Sequence, residues 1–85
     1  MQLIARHEIA DYDRWKAAFD DHAEARGAAG LSVLQIWRED GAPRVLILYA
    51  VSDRARAEAA LTRLDALMAE RAGVAASDYT FLRLA

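Results

Sequence analysis

Leu31-Ser32-Val33-Leu34-Gln35-Ile36-Trp37-Arg38-Glu39-Asp40-Gly41-Ala42-Pro43-Arg44-Val45-Leu46-Ile47-Leu48-Tyr49-Ala50-Val51 reads as two strands and a tight connection. The strands are Leu31 to Glu39 and Arg44 to Val51, with Gly41 and Pro43 kept outside the ladder, so the pairing is expected to be antiparallel. The second strand of this hairpin is apolar at every position from Val45 to Val51, whereas a sheet with one wet face alternates. The first is also two-sided: Leu34 and Ile36 alternate with Val33, Gln35 and Trp37.

Upstream of the hairpin, Leu3 to Ile9 reads as a strand. Asp11 offers an N-cap oxygen, Asp13 complements the helix dipole, and a first helix is expected from Tyr12 to Arg26, closed by Gly27 and Gly30. Downstream, Ser52 or Asp53 caps a second helix in which Ala57, Ala60, Leu61, Leu64, Leu67 and Met68 recur at helical spacing until Gly73. Its charged residues, Asp65 among them, are assigned to the solvated side. Tyr79 to Leu84 is the last strand. Strand, helix, strand, strand, helix, strand is the ferredoxin-like α+β order, βαββαβ with a four-stranded antiparallel sheet in one domain spanning residues 1–85. Two helices cover one face of such a sheet. The second apolar face therefore calls for another copy of the chain, and a homodimer with two sheets face to face is expected.

Composition narrows the function classes. At 85 residues, 55% hydrophobic and 28% charged, the chain suits one small globular domain whose core a partner subunit often completes. A formal net charge of -2 offers no field for nucleic acid. The absence of cysteine removes disulfides, thiolate nucleophiles and zinc–cysteine sites. No signal-peptide core or membrane-span pattern is seen, so a cytoplasmic protein without membrane association is expected. Lys16 is the sole lysine among 11 basic residues and alanine is abundant, as in GC-rich bacterial genomes.

On a helix advancing roughly 100° per residue, Trp15, Phe19, His22 and Arg26 point in nearly one direction. An imidazole and a permanent cation on an inward stripe carry a desolvation cost of several kcal/mol unless partners or water satisfy them, which suggests a pocket. The alternative is structural: a satisfied core histidine, and an arginine favouring the negative helix end. Trp15, Phe19, Trp37 and Tyr49 offer flat apolar walls, the alternative being plain core packing, which at helical and strand spacing is the more common role. The four glycines are dispersed terminators, two histidines make a poor metal site, and Ser32, Ser52 and Ser77 lack a nucleophile elbow. No metal is expected.

The combination of His7, Asp11-Tyr12-Asp13-Arg14-Trp15, Phe19, His22, Arg26, Gly30 and Ala72-Gly73-Val74 resembles the dimeric α/β-barrel superfamily of ferredoxin-like proteins. The likeness is to its short bacterial members, similar to antibiotic-biosynthesis monooxygenases and cyclases. Two departures stand out: Ala59-Ala60-Leu61 replaces an aromatic, and Ala75-Ala76-Ser77 replaces a proline. The resemblance implies a dimeric barrel with a pocket between helices and sheet in each protomer, and it draws in His7. It implies a cofactor-independent monooxygenase-, cyclase- or isomerase-like enzyme acting on an aromatic or enolisable molecule. His22 would be the general base and Arg26 the group holding an oxyanion or carboxylate, with His7, Trp15, Phe19, Trp37 and Tyr49 lining the substrate site. No cofactor is expected, although the superfamily includes haem enzymes. The alternatives are a non-catalytic aromatic-acid-binding module and a structural homodimer.

Overall fold

The computed structural model describes all residues, 1–85. Strands β1 (Gln2–Glu8), β2 (Leu31–Arg38), β3 (Arg44–Val51) and β4 (Ala76–Leu82) form one antiparallel sheet in the order β2-β3-β1-β4. Helices α1 (Tyr12–Asp21), α2 (Ala23–Ala28) and α3 (Arg54–Ala72) pack on one face of it. This α+β arrangement is compatible with the ferredoxin-like fold.

Local chemistry sets the helix ends. The Asp11 and Asp53 side chains accept from the backbone N–H of Arg14 and Arg56, at 3.2 and 3.1 Å, and such caps contribute about 1 kcal/mol each. Gly73 ends α3 in the left-handed region at φ 64.

The expected first helix is in fact two. It breaks at His22, whose backbone (φ -103, ψ 18) leaves the helical region, and a short α2 follows. Gly27 lies inside α2 and closes nothing; the left-handed turn is made at Gly30. The last strand begins at Ala76 rather than Tyr79 and ends at Leu82. Both differences arise because backbone pairing, not side-chain apolarity, extends a strand or ends a helix: Glu8 reaches Ala76 in the ladder.

The sheet has two distinct faces. Leu3 and Ala5 of β1 and Val45, Ile47, Tyr49 and Val51 of β3 are buried beneath the helices. Ile4, Leu46 and Leu48 point the other way and are half-buried. In β2 the simple alternation fails. A bulge at Leu34 shifts the register, so Val33 pairs with Tyr49 on the helix side whereas Gln35 pairs with Leu48 and Trp37 with Leu46 on the open side.

Candidate functional site

The break at His22 shapes a cavity between helices and sheet. A helix that stops leaves its last carbonyls without intrahelical partners. Those of α1 are taken up by the two residues that had suggested a pocket: the His22 Nδ1–H donates to the Ala18 carbonyl at 2.7 Å, and the Arg26 guanidinium donates to the Phe19 carbonyl. A carbonyl only accepts, so the neutral His22 ring carries its proton on Nδ1 and presents a bare Nε2.

Six of the seven expected site residues line this cavity. His7 comes from β1, Tyr49 from β3, Trp15 and Phe19 from α1, and His22 and Arg26 from the break and α2. Trp15 stacks on Phe19 with ring centroids 4.8 Å apart. Trp37 is the exception: the bulge turns it to the open face, where it is 46% exposed and does not border this cavity.

Arg26 is only 7% exposed, with its guanidinium 3.5 Å from the centroid of the Phe19 ring. No carboxylate lies within ion-pairing distance of it. Burial lowers its affinity for the proton, opposed by the nearby Tyr49 and Asp20. Tyr49 is 4% exposed, and burial pushes its phenol up to about 12, against the pull of Arg26.

Sequence reasoning missed the opposite wall. Asp65 of α3 accepts a hydrogen bond from the Tyr79 hydroxyl of β4, and both border the cavity. Burial, then the Asp65 hydrogen bond, raises the Tyr79 phenol well above its ordinary range. His7 packs edge-on to Tyr79 at 5.8 Å, and its Nδ1 shares a 2.7 Å hydrogen bond with Ser77 Oγ. Burial outweighs the neighbouring Asp65 and holds the His7 imidazole below its ordinary value of 6.5. The signal for Asp65 was present: with Leu61, Met68 and Ala72 it falls on one stripe at i, i+4, i+7 and i+11, the buried side of α3.

The free room is small, about 30 Å³. It suits a few waters or a molecule as small as acetate or glycine, not an aromatic ring. Haem does not fit it. No three His, Asp or Glu side chains converge on a point that would hold a metal ion. No helix is long and apolar enough to cross a membrane.

No protein-family model and no curated protein sequence matches the chain. Solved structures do. Two structures of a NIPSNAP-family protein from Agrobacterium tumefaciens, described as of unknown function, superpose with TM-scores of 0.64 and 0.67 at 11% and 10% identity. They cover 100% and 99% of this chain and 94% and 86% of theirs. An uncharacterized NIPSNAP domain protein from Burkholderia xenovorans gives 0.62 at 16% identity, covering 100% and 95%. At these identities the likeness is one of fold.

Proposed function

We propose that this chain is a non-catalytic binding module that holds a small carboxylic acid against Arg26, and that two copies pair through their open sheet faces. One observation carries the binding reading. Arg26 is a buried guanidinium bordering a cavity, with one backbone hydrogen bond and no carboxylate partner. Leaving a buried charge uncompensated costs several kcal/mol, and an anion entering beside it removes that cost. The ring walls of Trp15, Phe19 and Tyr49 suit the apolar body of an acid, but the small volume favours compact acids over polycyclic ones.

The pairing rests on the open face. Ile4, Leu46 and Leu48 are half-buried at its centre, flanked by Trp37 at 46% and Leu82 at 37% exposure. A contiguous apolar patch of this kind is rare on a monomer. A second copy presents the same patch, which is what a two-fold interface requires.

A thermal-melt series at neutral pH with formate, acetate and propionate tests the binding. An acid at a hundred times its Kd stabilises the fold by about 2.7 kcal/mol. Acid-dependent stabilisation that Arg26→Met removes is the expected result. A flat series overturns the reading.

A second reading, proton transfer from an enolisable acid, is favoured by one feature: the Ala18 carbonyl fixes the His22 tautomer that leaves Nε2 free as a base. Turnover of any bound acid that disappears in His22→Ala would move the function from binding to catalysis.

A further inference from the structure

The cavity is bordered by opposite charges, and neither makes an ion pair within the protein. Arg26 of α2 has no anionic partner, and Asp65 of α3 has no cationic one. The two do not pair with each other. Asp65 acts electrostatically on Tyr49, His7 and Tyr79 but is not among the groups acting on Arg26, whereas Tyr49 is within reach of both. Tyr49 itself borders the cavity.

We propose that the occupant is a compact amino acid, its carboxylate held by Arg26 and the Tyr49 hydroxyl and its ammonium by the free oxygen of Asp65. The proposal rests on the carboxylate-binding reading and adds the second charge. A simple acid satisfies Arg26 but leaves Asp65 facing an apolar chain. A dicarboxylate sets two anions against each other. A zwitterion compensates both walls at once, and charge-assisted hydrogen bonds are the strong ones. The protein supplies no cation at the Asp65 end, because burial keeps His7 neutral beside it. Asp65 has already received one donor, Tyr79, through Oδ1, so its second oxygen is the one left to accept. Free room of about 30 Å³ limits the ligand to the smallest amino acids, of about the size of glycine.

The test compares amino acids with their des-amino counterparts on the full chain by isothermal titration at neutral pH: glycine against acetate, β-alanine against propionate. At least one amino acid should bind about tenfold or more tighter than its matched acid. Asp65→Asn should erase that preference. Tyr79→Phe, which keeps the Asp65 charge, should retain it. Arg26→Met should abolish both. Equal or tighter binding of the plain acids overturns the amino-acid proposal and leaves the carboxylate reading standing. No binding by either set overturns both. Should Asp65→Asn fail to fold, the comparison on the unaltered chain decides alone.

Discussion

Arg26 places its guanidinium over the Phe19 ring and donates to the carbonyl of that same residue, so one side chain closes the break between α1 and α2 twice over. The Phe19 carbonyl is not orphaned without it, because the His22 backbone N–H also donates there at 3.2 Å. Removing the guanidinium therefore gives up a cation–π contact of up to about 2 kcal/mol and one hydrogen bond. It also removes an uncompensated buried charge that costs several kcal/mol. The second effect is the larger. Arg26→Met is expected to melt at the same temperature as the unaltered chain or above it while losing acid binding. One kcal/mol moves the midpoint of a domain this size by about 4–8 °C, so a fall of that order would make Arg26 a structural residue.

Ile47 and Leu48 are adjacent and face opposite ways. Ile47 is fully buried beneath the helices and Leu48 lies on the open face, so a carboxylate has different consequences at the two positions. Ile47→Asp should abolish the folded far-UV circular dichroism. Leu48→Asp should keep it and halve the mass seen by sedimentation at micromolar concentration. An unaltered chain that sediments as a monomer would refute the pairing.

Acid should loosen the fold through His7. Its proton affinity is lowered in the folded state, so the unfolded chain binds the proton first, and stability falls as pH drops below the ordinary value of 6.5. The loss ends once pH is below the lowered value in the folded protein. Above 6.5 this contribution is fully present. Melting temperatures from pH 8 to pH 5 should decline, and His7→Gln should flatten the curve. An unchanged slope in the variant would assign the acid sensitivity to another group.

Gly30 is irreplaceable for two reasons. Its φ of +75 is strained for any residue with a side chain, and an added Cβ would lie 2.2 Å from the Ser52 Oγ. Gly30→Ala is expected to cost about 2 kcal/mol or more, whereas Gly41→Ala, at φ +79 but with nothing within 4 Å, should cost only the backbone term of about 1 kcal/mol. Chemical denaturation of the two variants separates steric from conformational strain.

The element order, the caps Asp11, Asp53 and Gly73 and the two-sided apolarity of β3 were all legible in the sequence, because each depends on neighbours within a few residues. The convergence of Trp15, Phe19, His22 and Arg26 was suggested by helical spacing, but it is reached across a break in the helix at His22. Tertiary structure decided the rest. The helix breaks at His22 because the ring and Arg26 offer its carbonyls partners that no periodicity counts. Trp37 leaves the pocket because one bulged residue at Leu34 inverts the alternation after it. Asp65 meets Tyr79 because docking α3 on the sheet joins positions 14 apart in the chain, and two half-buried polar groups satisfy each other there.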